Sequence, residues 1–282
     1  MKKKIIWTVF LTTILFTVSF RCPLCHAEPP VTAVLGALEE EMEIIDAQLT
    51  NKETLVVEGI KFSIGKINGR KVVVARTGVG KVNAAMTATL LIEHFKPSEI
   101  ISTGVAGAIN PELLPGDMII ATKTAQHDLG TLDENGMVSR GIKNPMTGEK
   151  NPMFFPANVR LIDIADTAAR GLKLNPMKSG QQRRFPRIAK GVIVSGDVFV
   201  SSKAKKEQLR KDFHADAVEM EGAAEAQICW QQGVAFIAIR SISDMATTNA
   251  SNDFGKIHRA SADLSGQLVL EIIKQIQERP RW

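Results

Sequence analysis

Val31-Thr32-Ala33-Val34-Leu35-Gly36-Ala37 is an almost unbroken apolar run that stops at a glycine, and Leu38, Met42, Ile45 and Leu49 follow it at helical spacing. A short apolar run closed by a turn residue reads as a strand buried on both faces; the change to a three-to-four-residue period reads as the helix behind it. The alternation recurs. Residues 56–67 and 71–76 read as strands joined by the Asn68-Gly69 turn, and 81–95 as a helix entered through Gly78-Val79-Gly80. Strands are expected at 99–103, ending at Gly104-Val105-Ala106-Gly107, and at 117–124, 190–195, 216–220 and 234–240. Helices are expected at 158–172, 203–213, 222–232 and 256–277, the last with Ile257, Ala260, Leu264, Leu268 and Ile272 on one stripe. Residues 129–155 are rich in Gly, Pro, Asn and Met without a period and read as a long loop or lid, and 175–187 are polar and basic. This pattern predicts one α/β domain over 28–282, with a central, mostly parallel mixed sheet flanked by helices.

The first 27 residues read differently. Lys2, Lys3 and Lys4 precede an apolar stretch from Ile5 to Phe20, and Leu24-Cys25-His26-Ala27 gives way to Glu28-Pro29-Pro30. That is the pattern of a secretory signal peptide over 1–27, cleaved after Ala27, with a periplasmic destination. The alternative, an uncleaved anchor, meets an apolar core somewhat short for a full span. Cys25 invites a lipid anchor, but Cys22-Pro23-Leu24 before it fits a lipoprotein signal poorly. No stable membrane anchor is expected after cleavage. The segment carries Lys2, Lys3, Lys4 and Arg21 and no acid, so removing it takes the formal charge from +5 to about +1. The basic balance then belongs to targeting and argues for no nucleic-acid partner. Cys22 and Cys25 leave with it, and Cys229, set among helical apolar residues, reads as core and not as a nucleophile. An exported chain with one cysteine has no internal disulfide, so packing must stabilise it.

In open α/β sheets ligands bind beyond the carboxyl ends of the strands. The segments expected there are Glu39-Glu40-Glu41, Thr77-Gly78-Val79-Gly80, Thr103 to Gly107, Gly196-Asp197-Val198-Phe199, Glu219-Met220-Glu221 and Ser243-Asp244. Each has a plain structural reading. Acids that open a helix answer its dipole, Asp244 suits a helix cap, and glycines serve tight turns. Glu219 and Glu221, alternating in an extended segment, are costly in a doubly buried strand and favour a polar site. Together these features describe an α/β enzyme that works with carboxylates. His26, His94, His127, His214 and His258 show no ligand spacing, so neither a metal nor any other cofactor is expected.

Six blocks in this order carry a resemblance: Gly36-Ala37-Leu38-Glu39-Glu40-Glu41, Thr77 to Lys81, Ser102 to Gly107, Val194 to Phe199, Val218 to Gly222, and Arg240 to Asp244. They resemble the methylthioadenosine/S-adenosylhomocysteine nucleosidases of the nucleoside phosphorylase superfamily, here in an exported variant. The resemblance runs from about Val31 to the C-terminus and is weakest over 129–190. It implies a nucleoside phosphorylase-like fold, a homodimer, and hydrolysis of adenine nucleosides with release of adenine. Methylthioadenosine, S-adenosylhomocysteine, adenosine and deoxyadenosine all stay open as substrates. Asp244 matches the general acid toward N7 of adenine, oriented by Ser243; Glu41 matches the residue that activates water; Glu221 would hold the ribose hydroxyls. Phe199 would stack on adenine, with the Val200 backbone at its edge. Met220 and Phe254 would pack on the sugar and 5′ side, and Val79, Ala106, Gly107 and Glu219 would complete the binding set, braced by Arg240. Val105 stands where the typical relative has Ser. Two rivals remain: a phosphate-dependent nucleoside phosphorylase, for which Arg76 is the nearest cation, and a non-catalytic nucleoside-binding protein. Glu39, Glu40 and Glu41 would repel a phosphate dianion and suit a water, which favours hydrolysis.

Overall fold

The computed structural model describes residues 29–134, 136–179 and 182–276. The signal segment 1–27 and the last residue of the expected closing helix, Gln277, lie outside them.

Fourteen strands and six helices are laid out as β1 (Val31–Gly36), α1 (Glu39–Asp46), β2 (Thr50–Val57), β3 (Ile60–Ile67), β4 (Arg70–Arg76), α2 (Lys81–Phe95), β5 (Glu99–Ala108), β6 (Met118–Gln126), β7 (Gly130–Asp133), β8 (Gly136–Ser139), β9 (Phe155–Pro156), α3 (Val159–Gly171), β10 (Met177–Ser179), β11 (Gln182–Arg184), β12 (Ile188–Ser195), α4 (Lys203–Phe213), β13 (Ala217–Glu219), α5 (Gly222–Gln232), β14 (Ala235–Asp244) and α6 (Ala250–Gln275). One large sheet runs β13-β12-β6-β14-β5-β1-β4-β3-β2, with β9 beside β6. Its centre is parallel: β14, β5, β1 and β4 pair in one direction. The β2-β3-β4 meander and the β6–β14 pair are antiparallel. The single mixed α/β sheet is therefore as expected, and apolar clusters cover both of its faces. One gathers α1, α3 and α6 over Val34, Ile101 and Ile239; the other gathers α2 and α5 over Leu35, Ile100 and Ala238.

Several boundaries differ from the sequence reading. The 56–67 stretch is two strands, because Glu58 and Gly59 both take positive φ and turn the chain. The expected loop at 129–155 contains the β7–β8 hairpin, and 175–187 contains the β10–β11 hairpin. Both pairs are only three or four residues long on each strand, too short for an apolar alternation to announce them. α6 begins at Ala250, well before residue 256, and Ala260 of the expected stripe is exposed.

The most consequential difference lies in β5 and β14, which run on through the segments read as strand ends. β5 pairs with β1 only from Glu99 to Ser102. β1 ends at Gly36 while β5 runs on, and Gly107 and Ala108 pair antiparallel with β13. The sheet thereby closes on itself through β13, β12, β6, β14 and β5. The parting of β1 and β5 opens a cleft at their carboxyl ends.

At the opposite end of β5 sits a purely structural charge. Glu99 accepts from Thr32 Oγ1, an Arg70 nitrogen and an Arg160 nitrogen, each at 2.6 Å. Removing one member of a buried ion cluster leaves its partners charged and unpaired, at a cost of roughly 3–5 kcal/mol. Glu99→Ala is therefore expected to destabilise the fold by about that much in urea titration, far from the cleft. A loss below about 1 kcal/mol contradicts this account of the cluster.

Candidate active site

The cleft encloses a cavity of about 400 Å³ lined by residues from all six blocks: Ala37, Leu38 and Glu41; Val79; Val105, Ala106 and Gly107; Val198, Phe199 and Val200; Glu219, Met220 and Glu221; Ser243 and Asp244. Val218, Ser251 and Phe254 complete the wall. That volume suits a small ligand. Of the residues to which the resemblance gives a catalytic or binding role, only Arg240 is off the wall; it lies behind Glu219. Ser251 and the exact turn of Leu38 carried no signal in the sequence.

Glu41 is placed by the start of α1. Its Oε2 reaches back to accept from the Ala37 and Leu38 amides at 2.7 and 2.9 Å, which is how an acid in the first turn satisfies helix-opening N–H groups. Its Oε1 accepts from Val105 N at 3.0 Å, the amide freed where β5 leaves β1. A Cβ at Gly104 would lie 2.6 Å from that Oε1, so the approach requires glycine. Burial raises the Glu41 carboxyl above its ordinary range, against the pull of Arg240 and the three amides. Glu39 and Glu40 turn outward instead, toward Arg76 and Arg259.

Asp244 is placed by a register shift in the β14–β5 pairing between Ile242 and Asp244. Such a bulge re-aims the side chain that follows it. Ser243 Oγ donates to Oδ2 at 2.9 Å and Ala246 N to Oδ1 at 2.8 Å. Asp244 is not a helix cap, since Asn249 caps α6; its bond from Ala246 N is a turn contact that holds it on the cavity wall. Burial raises the Asp244 carboxyl, opposed by those two donors, and Asp253 adds to the rise. A Cβ at Gly107 would stand 2.9 Å from Asp244 Oδ1. Glu41 and Asp244 thus press on β5 at positions three residues apart, roughly 10 Å along a strand. That is the scale of a ligand held between them.

The third wall is β13 and the start of α5. Glu219 is engaged on both oxygens: Arg240 donates to Oε2 at 2.7 Å, the Gly222 amide donates to it at 2.8 Å, and Ser195 Oγ donates to Oε1. Burial alone would raise this carboxyl, but Arg240 and Ser195 outweigh it and hold it below the ordinary range. Glu221, two residues on, is the opposite case. Burial and the neighbouring Glu219 charge push it up, although Gly80 N donates to its Oε1 at 2.8 Å. One carboxyl stays ionised against the guanidinium while the other retains its proton.

A fourth acid, Glu225, was not singled out from the sequence. It stands one helical turn after Glu221 on α5, 1% exposed, among small residues. Burial pushes it up to about 7, with Arg240 and Ser102 opposing and Glu219 and Glu41 adding to the rise. Its only sequence signal is an acid inside a run of alanines.

The cavity carries Glu41, Glu219, Glu221 and Asp244, and among the described residues no Lys or Arg lines it. Lys206 comes near Asp244 from α4, but its Nζ is bound to Met245 O at 2.8 Å. No group of His, Cys, Asp and Glu fit to hold a metal occurs among the described residues. The chemistry available is that of a proton donor at one end and carboxyls at the other, with the aromatic face of Phe199 half exposed beside Phe254 at a ring distance of 6.0 Å.

Comparison with known proteins agrees with that chemistry. The family model of the phosphorylase superfamily matches residues 31–274. A 5′-methylthioadenosine/S-adenosylhomocysteine nucleosidase of Psychromonas ingrahamii is 35% identical over 244 residues, covering 86% of this chain and 98% of that protein. The structure of the 5′-methylthioadenosine/S-adenosylhomocysteine nucleosidase of Neisseria meningitidis, in complex with methylthio-immucillin-A, superposes with a TM-score of 0.76 at 33% identity, covering 87% of this chain and 99% of that one. The futalosine hydrolase of Helicobacter pylori superposes with a TM-score of 0.74 at 29% identity, over 88% and 98% of the two chains.

A carboxyl whose folded pKa lies near 7 and whose ordinary value is 4.5 favours folding when protonated. Its contribution is full below about 4.5 and is lost as pH rises through about 7. Glu225→Gln should therefore flatten the fall in unfolding free energy over that window, by up to about 3 kcal/mol. Urea titrations of wild type and variant with the same pH slope would remove this reading of Glu225.

Proposed function

The chain belongs to the phosphorylase superfamily and is an N-glycosyl hydrolase of its nucleosidase branch; from that premise we propose that it cleaves adenine nucleosides, with Asp244, Glu41 and Glu221 as the reacting carboxyls. One observation carries the assignment: a nucleoside-sized cavity with four carboxyls on its wall and, among the described residues, no cation. A phosphate nucleophile needs arginines or lysines to hold it. The nearest candidate in sequence, Arg76, is exposed, pairs with Glu39 and does not line the cavity. Water needs only a carboxylate to orient it and take its proton.

In this reading Phe199 stacks on adenine, and the backbone of Val200 reads its edge. Asp244, whose proton affinity burial raises, gives its proton to N7 as the C1′–N9 bond breaks and the bonding pair moves to the base. Positive charge grows on the sugar, where the carboxylate of Glu41 stabilises it, while Glu221 keeps its proton beside the ribose. Water oriented by Glu41 adds to C1′ and gives its proton to that carboxyl, so the products are adenine and the free sugar. Glu221 holds the ribose hydroxyls at a height set by Gly80 N. Met220, Val79 and Phe254 pack on the sugar and the 5′ substituent, while Ala106 and Gly107 let base and sugar approach β5. Glu219 and Arg240 stay charged behind this wall and keep it in place.

The substrates are methylthioadenosine and S-adenosylhomocysteine, with adenosine and deoxyadenosine as further candidates. Residues 1–27 have the features of an export signal, which supports a periplasmic enzyme that salvages adenine. The apolar side chains of Val79, Val82, Met86 and Phe199 are exposed around the cavity mouth and the adjoining turns of α2, which supports a homodimer that covers them.

Free adenine is expected from this nucleoside panel in phosphate-free buffer. Asp244→Asn should lower kcat by about 100-fold or more with the fold intact. Turnover that depends on added phosphate, or an unaffected folded Asp244→Asn protein, overturns the proposed chemistry. Protein from the periplasmic fraction of an expressing host should begin at Glu28 and run at twice the chain mass in light scattering; an intact Met1 or a monomer removes the corresponding part.

A further inference from the structure

We infer that Asp128 is a positioning residue for nucleoside cleavage: with Lys81 it forms a strut outside the cavity that sets the adenine wall against the ribose carboxyl. The inference rests on the function proposed above. Neither residue lines the cavity. Asp128 follows β6, Lys81 opens α2, and Asp197 begins the turn after β12, so the strut joins three distant parts of the chain. Asp128 Oδ1 accepts from Lys81 Nζ at 2.6 Å, and its Oδ2 accepts from Asp197 N at 2.8 Å. Asp197 answers by accepting from Lys81 N at 2.7 Å through Oδ1. Gln126 Oε1 takes a second Lys81 Nζ bond at 3.1 Å.

Each end of this loop leads directly into the site. The amide before Lys81, Gly80 N, donates to Glu221 at 2.8 Å. The residues after Asp197 are Val198, Phe199 and Val200, which line the cavity. A shift of Asp128 or Lys81 therefore moves the wall that stacks the base and the amide that holds the ribose carboxyl. Displacements of about 1 Å at reacting groups cost on the order of 100-fold in rate. The pair is only partly exposed, at 15% for Lys81 and 24% for Asp128. Burial works against the Asp128 carboxylate, but Lys81 and the Asp197 amide hold it below the ordinary range, so it is charged throughout neutral pH.

The test measures kcat, KM and the dissociation constant of free adenine for wild type, Asp128→Ala, Asp128→Asn, Lys81→Met and the Asp128→Ala/Lys81→Met double variant, with thermal midpoints alongside. Asp128→Ala should raise KM and the adenine dissociation constant about 10-fold or more. Asp128→Asn, which keeps an acceptor for Asp197 N, should lie between it and wild type. Because the two side chains act as one unit, the double variant should be no worse than Asp128→Ala within about 3-fold. If Asp128→Ala does not fold, Lys81→Met and Asp128→Asn carry the same expectation. Folded variants with KM and adenine affinity within about twofold of wild type, or with losses confined to thermal midpoint and active fraction, overturn the strut. Absence of nucleoside cleavage by wild type would instead overturn the proposed function, and adenine affinity would still report on the strut.

Discussion

The buried ion pair between Arg240 and Glu219 is the interaction on which the site depends. Arg240 occupies the middle of β14, where its guanidinium donates to Glu219 at 2.7 Å and to Ser102 Oγ at 2.9 Å. Both side chains are at most 3% exposed. An isolated charge at such depth is prohibitive, and a pair is tolerated only when its remaining valences are filled. Here Ser195 and the first amides of α5 fill them. The single guanidinium then serves as counter-charge for a wall that also holds Glu41, Glu221 and Glu225. It can neutralise only part of that charge. Glu221 in consequence holds a proton while Glu219 does not, so closely spaced carboxyls come to differ in protonation, as a site that both donates and accepts protons requires.

The second constraint is the parting of β5 from β1. While the two strands are paired, their amides are satisfied and the space between them is closed. Beyond Ser102 that pairing stops, and Val105 N needs another acceptor. Glu41 supplies it at 3.0 Å. The cleft and its carboxyl therefore arise from one event: the end of the pairing that frees an amide also makes room for the acid that binds it. The closure of β5 onto β13 brings Glu219 and Glu221 round to face the same space.

Much of this was visible in the chain itself. Buried strands announce themselves as apolar runs, so the parallel core, most helices and the one-domain count were legible, as were the six blocks that carry the likeness to the nucleosidases. The hairpins at β7–β8 and β10–β11 were not, because their pairing is short and leaves no alternation to read. Glu225 was passed over because an acid in a helix normally faces water. Only the packing of α5 against the sheet shows that this one does not.

Residue type and order determined that the acids Glu41, Glu219, Glu221 and Asp244 stand just past apolar runs, where an α/β sheet presents its ligand edge. Local physics suffices for that, since strand and helix periods depend on near neighbours. Tertiary structure alone decided which acid faces inward among Glu39, Glu40 and Glu41, that Glu219 is spent on Arg240, and that Asp128 and Lys81 tie two walls together. These outcomes depend on contacts between residues far apart in the chain, such as Gly80 with Glu221, 141 positions apart. Burial and electrostatic pairing are properties of the assembled space, and no local window of the chain contains them.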